Sequence, residues 1–276
     1  VEVRTFGAAS RPGRLVHFER ELVRALPGEA VVAHMIPVYV LLAAPLVRPR
    51  RIPLLLWYTH WKATAQLRAA ERLATAIVSV DLANAWTRPG NPFSCDMAKM
   101  DNEIIPGMQR LLQAARAKGH VIVHVTTAYQ NTDRNDPHND MGMWHHKIPV
   151  EAVNLDDEEL WAIDSRIAPA KGEWVMLKKR ASAFSGTPLA GYLRSCGVDT
   201  ILVTGVTATA CVRTTICDGL ADGFRTIAVK ECIGDRVPGA VAWNLYDIDA
   251  KFADVEPVDT CVNYLNNVEG FNDRRV

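Results

Sequence analysis

The stretch that decides the fold is TILVTGVTATACVRTTICDGLADGFRTIAV, residues 200–229. It opens on an almost unbroken apolar run, Thr200 to Val206, of the length and β-branched content of a strand buried on both faces. A helix is predicted from Cys211 to Asp222, closed by Gly223, and a second apolar strand follows from Thr226 to Val229. A strand, a helix and a strand with short connections form a βαβ unit, which implies a parallel sheet covered by helices.

Working outward, the same design recurs. Strands are predicted at Ala76–Val80, Val121–Thr126 and Trp174–Leu177. Ile104, Ile105, Met108, Leu111, Leu112 and Ala115 recur at helical spacing, so a helix is predicted over Asp101–Lys118, ending at Gly119, and another over Thr187–Cys196, ending at Gly197. The predicted fold is a three-layer α/β/α sandwich around a mostly parallel, Rossmann-like sheet, covering residues 76–276. Ligands of such sheets sit at the carboxyl ends of the strands. Asp81 follows the strand 76–80, Lys178 follows 174–177, and Cys211 lies just beyond 200–206 at a helix start. A thiol there feels the positive end of the helix dipole, and an adjacent ammonium would lower its pKa further. A carboxylate within reach can take the thiol proton and deliver it to a leaving amine. Asp81 also has the alternative role of a helix N-cap.

Residues 1–75 read differently. Strands are predicted at Ala30–Met35 and Ile52–Thr59, with helices at Pro37–Arg48 and Lys62–Ala74, giving a βαβ-like appendage. Ala30–Val47 is nearly continuous in apolar residues and is followed by Arg48, Arg50 and Arg51, as in a membrane span with a positive flank. His34, Pro37 and Pro45 interrupt it and divide it into strand-sized and short-helix-sized pieces, so a membrane partner is not the reading adopted. The segment resembles part of the first half of a GT-B glycosyltransferase through Ala33-His-Met-Ile-Pro37 and Pro53-Leu-Leu-Leu-Trp-Tyr-Thr-His-Trp61. Nothing later in the chain resembles the nucleotide-sugar domain of those enzymes. The rival of another class is a glycosyltransferase-like or membrane-attached binding module in which the remainder is structural.

Lys and Arg together number 31, as do Asp and Glu, so no global field favours nucleic acid or an anionic membrane, and the expected partner is a small molecule. The six cysteines form no C-x-x-C pair, and a chain of 276 residues needs no staples, which reads as reduced thiols in the cytoplasm.

Asp81-Leu-Ala-Asn-Ala-Trp86, Lys178-Lys-Arg-Ala-Ser-Ala-Phe184 with Gly186-Thr187, and Thr204-Gly-Val-Thr-Ala-Thr-Ala-Cys-Val-Arg-Thr-Thr215 together resemble the isochorismatase-like cysteine hydrolases, over residues 76 to about 266. Within that superfamily the likeness points to the N-carbamoylsarcosine amidohydrolases, through residues 81–95 (DLANAWTRPGNPFSC), Asn139-Asp-Met-Gly142, Arg166-Ile-Ala-Pro169, Gly234-Asp-Arg-Val-Pro-Gly239 and Trp243-Asn-Leu-Tyr-Asp-Ile-Asp249. The resemblance implies a catalytic triad of Asp81, Lys178 and Cys211, and its spacing selects Lys178 over the neighbouring Lys179. It implies a cis peptide between Val206 and Thr207, with an oxyanion hole formed around Thr207 and Cys211. It also implies substrate contacts from Arg236, Thr207, Asn84 and Trp86. The Arg236 fork suits a carboxylate, although Arg236 has the alternative of satisfying Asp235 or a helix end. The implied reaction is hydrolysis of a linear amide or ureido bond in a small carboxylate-bearing molecule. N-Carbamoylsarcosine is the first choice and maleamate the second, with no cofactor, and with a homo-oligomer, by resemblance a tetramer. The Asp-x-His-x-x-His cluster that holds zinc in some nicotinamidases is missing. His145 and His146 are adjacent and cannot share one face, and His138 stands alone, so no metal is expected. Cys95 lies in the matching motif without a chemical task.

Overall fold

The structure, a computed structural model, describes residues 74–268 together with the backbone of 31–34 and 54–57. The chain divides into two compact units, Val1–Glu71 and Arg72–Val276. In the first, Val31–His34 and Leu54–Trp57 pair in parallel, in register Val31 to Leu54. The helix expected at 37–48 and residues 62–73 of the helix expected at 62–74 lie outside the described residues. Ala74 itself opens a strand.

The second unit holds a six-stranded, all-parallel sheet. Its strands are β1 (Ala74–Val80), β2 (Val121–Thr127), β3 (Trp174–Lys178), β4 (Val198–Val206), β5 (Arg225–Gly234) and β6 (Asp254–Glu256). Their spatial order is β3-β2-β1-β4-β5-β6. The order reverses between β1 and β4, and that is the switch point where a doubly wound sheet opens a crevice at its carboxyl edge. Both faces of the sheet are buried, which is why these strands read as apolar runs without alternation. Ile77 packs with Met108, Leu111 and Leu112 on one side, while Ala76, Val78 and Val80 pack with Leu189, Ile216 and Ile248 on the other. The three layers and the parallel sheet agree with the sequence reading. β1 begins two residues earlier than expected, and β6 lies outside the sequence expectation, because three residues are too short for a periodic signal.

The covering helices are α1 (Ile105–Lys118), α2 (Leu189–Ser195), α3 (Arg213–Ala221), α4 (Pro238–Lys251) and α5 (Val258–Asn267). α1 ends at Gly119 in the left-handed conformation, φ 68°, as the sequence predicts. Its start differs from expectation: a π turn, Met100–Ile104, precedes it. Pro106 has no N–H to donate one turn back, so the chain enters the helix through a wider turn. α3 is likewise preceded by a π turn, Ala208–Val212, so the helix that carries Cys211 begins three residues before the expected start.

Gly205 lets β4 lie against β1 at the switch point. Its φ is +109°, and a Cβ built there would stand 1.9 Å from the Val80 carbonyl oxygen. Gly205→Ala is therefore expected to destabilise the fold by about 3–5 kcal/mol, from backbone strain plus overlap with main-chain atoms that cannot swing away. For a unit of this size that lowers the thermal midpoint by roughly 10 °C or more. Gly223→Ala, at φ +85° with nothing within 4 Å of the added Cβ, should cost only about 1 kcal/mol in the same thermal unfolding experiment.

Candidate active site

Five adjacent strands deliver their carboxyl ends to one edge. In spatial order these bring Lys178 (last residue of β3), Thr127 (last of β2), Asp81 (just after β1), Cys211 (in the turn after β4) and Asp235 with Arg236 (just after β5). Asp81 sits at φ 52°, in the left-handed region that Asp tolerates better than most residues, and its N–H donates to the Val125 carbonyl at 2.7 Å. That bend turns its carboxylate along the sheet edge toward β2 and β3.

The Lys178 ammonium organises the cluster. It donates to Thr127 Oγ1 at 2.7 Å, to the Arg180 carbonyl at 3.1 Å and to Cys211 Sγ at 3.4 Å, which uses its three protons. It also lies 2.9 Å from Asp81 Oδ2, as an ion pair that is not an aligned hydrogen bond. Thr127 Oγ1 in turn donates to Asp81 Oδ1 at 2.9 Å. Lys178 and Asp81 are both fully buried.

Charge arithmetic fixes the resting state. Burial by itself lowers the proton affinity of Lys178, but the negative charge beside it, Asp81 foremost, outweighs it and holds the amine above its ordinary value, so it stays an ammonium. With Asp81 ionised the pair is neutral, and a thiolate would leave one uncompensated negative charge in a dry site. Burial accordingly pushes Cys211 up to about 12; Lys178 opposes the shift and Asp81 adds to it. The expectation that this thiol would be depressed is thus corrected, because desolvation outweighs the ammonium. Neutrality is kept if the proton passes from sulfur to Asp81 as sulfur attacks, so the cluster suits a thiol activated on demand.

Above Cys211 lies a cavity of about 320 Å³. Thr207 and Arg236 stand on its polar side, and Trp86, Phe93, Tyr129 and Trp144 form an aromatic wall. The Arg236 guanidinium lies 5.7 Å from the Phe93 ring centroid, and Phe93 stacks on Trp86 at 5.2 Å. Trp144 places its ring 6.0 Å from Lys178 Nζ. The Val206–Thr207 peptide is cis. Burial lifts the Tyr129 phenol to about 12, which keeps it a neutral wall.

Of the residues singled out from sequence, Asp81, Lys178, Cys211, Val206, Thr207, Trp86 and Arg236 meet in and around this cavity. Asn84 does not line it: the side chain is buried and its Nδ2 donates to the Glu159 carbonyl at 2.8 Å, fastening the helical turn Asn84–Thr87 to the short helix Glu158–Trp161. Cys95 is buried under the aromatic wall with Sγ 3.6 Å from the Phe93 carbonyl oxygen, and burial raises its thiol to about 12. His145 is buried with Nδ1 against the Gly142 carbonyl, and His146 is exposed. Among the described residues no three His, Cys, Asp or Glu side chains are grouped to hold a metal, and no helix is long and apolar enough to cross a membrane. The sequence reading passes over Thr127 and gives Asp235 no part in the site. Thr127 carries a usable signal, since it follows the predicted strand 121–126 as Asp81 follows 76–80.

The isochorismatase domain model matches residues 75–260. The chain is 53% identical over 199 residues to N-carbamoylsarcosine amidase of Arthrobacter sp, covering 72% of this chain and 74% of that one. It is 36% identical over 196 residues to maleamate amidohydrolase of Pseudomonas putida, covering 71% and 88%. Among solved structures, an isochorismatase family protein from Desulfovibrio vulgaris superposes with a TM-score of 0.60 at 29% identity, covering 70% of this chain and 98% of that one.

The raised Cys211 thiol predicts a pH effect of definite sign. Below the ordinary value of 9.0 both folded and unfolded chains keep the proton, and the group contributes nothing. Between about 9 and 12 only the unfolded chain releases it, so stability falls as pH rises. Relative to Cys211→Ala, the wild type should lose about 1–2 kcal/mol between pH 8 and pH 10.5, read from denaturant unfolding of the two proteins side by side. A difference independent of pH would contradict the raised thiol.

Proposed function

From the premise that this chain belongs to the isochorismatase-domain family, we propose that it hydrolyses a linear amide or ureido bond of a small carboxylate-bearing molecule through Cys211, with N-carbamoylsarcosine as the preferred substrate. The observation that carries this reading is the neutral cluster of Asp81, Thr127, Lys178 and Cys211 at the base of a cavity that also holds a guanidinium. The relative at 53% identity bears the matching activity in its name.

In the proposed cycle the substrate carboxylate pairs with Arg236, a fork suited to it. The carbamoyl carbon then rests over Cys211. Sulfur attacks as its proton moves to Asp81, and Lys178 keeps the total charge of the cluster unchanged. The oxyanion that forms is met by the backbone N–H groups of Thr207 and Cys211 at the two ends of the turn, a contribution on the order of 3 kcal/mol per donor. Ammonia leaves with the proton held by Asp81. Water, losing a proton to Asp81, then attacks the thiocarbamoyl carbon; the proton returns to sulfur and a carbamate departs, which decays to carbon dioxide and sarcosine. Catalysis is assigned to the domain read from sequence at residues 76–276, whose first strand begins at Ala74, with the preceding residues as an appendage.

Maleamate is the second reading, favoured by the relative at 36% identity. It requires the same thiol chemistry and the same anion contact, with an alkenyl carbon in place of the substituted nitrogen beside the carbonyl.

Ammonia release measured with both compounds tests the proposal. Cys211→Ala should reduce the rate by a factor of about 10⁴ or more, as expected for removal of a nucleophile. Asp81→Asn should reduce it about 10²–10⁴-fold, as expected for loss of the acid–base group. Arg236→Met should act chiefly on KM. Release from maleamate alone would move the specificity and keep the mechanism. No release from either compound by a protein that unfolds cooperatively on heating would sink the proposed substrate class.

A further inference from the structure

Asp235 is a buried carboxylate with no part in the proposed cycle, yet it touches both halves of the site. Its Oδ2 accepts from the Thr209 N–H at 3.0 Å and from Thr209 Oγ1 at 2.7 Å. Its Oδ1 accepts from the Arg236 N–H at 2.7 Å. Its own carbonyl accepts from the Asp96 N–H at 3.2 Å, which ties in the segment that carries Phe93.

The turn Ala208–Val212 needs such a partner. A helix start leaves backbone N–H groups without intrahelical acceptors, and a side chain at the N-cap position ordinarily supplies one. Here the N-cap is Thr207, and its side chain makes no capping bond. Asp235 supplies the acceptor from the neighbouring strand, at the second residue of the turn and two residues before Cys211. A carboxylate also suits the positive end of that turn better than a neutral acceptor would. Three donors converge on two oxygens of one rigid group. The other end of that group is the peptide that leads directly into Arg236, whose guanidinium Nη1 stands 4.0 Å from Oδ1.

We propose that Asp235 is a positioning residue that locks the turn carrying Cys211 to the segment carrying Arg236, and so sets the separation between the thiol and the guanidinium. This rests on the reading of those two residues given above. Asp235→Asn isolates the role: whichever way the amide faces, its NH₂ meets at least one N–H donor, so one of the two ties is broken while the side-chain volume is kept.

The test alkylates the full chain with iodoacetate and, separately, with iodoacetamide, and follows Cys211 by peptide mass spectrometry. Both reagents form a C–S bond and expel iodide, but only iodoacetate carries the carboxylate that a guanidinium at the right distance would hold. The rate ratio of the two reagents, normalised to free cysteine, reads the thiol-to-guanidinium register without reference to any substrate. The ratio should fall about tenfold in Arg236→Met and by a similar factor in Asp235→Asn, the size expected when one charge-assisted hydrogen bond to the reagent is removed or misaligned. Thr209→Val keeps every charge and removes one of the three donors, and should lower the ratio in the same direction by about threefold. It is the gentler variant should Asp235→Asn fail to unfold cooperatively. A ratio that falls in Arg236→Met and is unchanged in both Asp235→Asn and Thr209→Val would overturn the positioning role and leave the site reading intact. A ratio unchanged in Arg236→Met as well would overturn both.

Discussion

The interaction on which the site depends is the ion pair between Lys178 and Asp81, both fully buried, at the ends of strands that are not neighbours. Two charges taken out of water are held only where partners replace the lost solvation, and breaking such a pair by removing one member costs about 3–5 kcal/mol. Thr127, on the strand between them, supplies the bridge by accepting from one and donating to the other. The pair is neutral as a unit. A third charge beside it would stand uncompensated in a dry site, and burial accordingly holds the proton on the Cys211 thiol.

That cluster requires β1 and β4 to run in contact at the switch point, because Asp81 leaves one and the Cys211 turn leaves the other. The contact is close enough that Gly205 carries no side chain toward Val80. The two halves of the site, an ion pair on one side and a guanidinium on the other, come from opposite directions of the winding. β1, β2 and β3 deliver Asp81, Thr127 and Lys178, and β4 and β5 deliver the thiol and the guanidinium. Asp235 spans the second half by satisfying donors from both of its elements. The aromatic wall of Trp86, Phe93 and Trp144 closes the site from loops outside the sheet, and this apolar lining keeps the effective dielectric low where the charges sit.

Sequence by itself determined the layers, the parallel sheet and the placing of Asp81, Lys178 and Cys211 on one sheet edge. These rest on local information: apolar runs announce strands buried on both faces, glycines announce helix ends, and a reactive residue placed just after a strand falls on the carboxyl edge whatever the strand order; the choice of Lys178 over Lys179 came from the motif likeness. The motif likeness added Arg236 and the Val206–Thr207 bond by the same one-dimensional means.

What only the tertiary structure decided depends on strand order and on burial, neither of which is written in any one segment. Thr127 matters because β2 lies between β1 and β3, and Asp235 because β5 lies beside β4. Asn84, only three residues from Asp81, turns to the Glu159 carbonyl instead of the cavity, since nearness along the chain does not fix which way a side chain points. A place near a helix start beside an ammonium predicts an acidic Cys211 thiol, yet burial lifts it. Desolvation is a sum over everything packed around a group, and that sum exists only once the chain has folded.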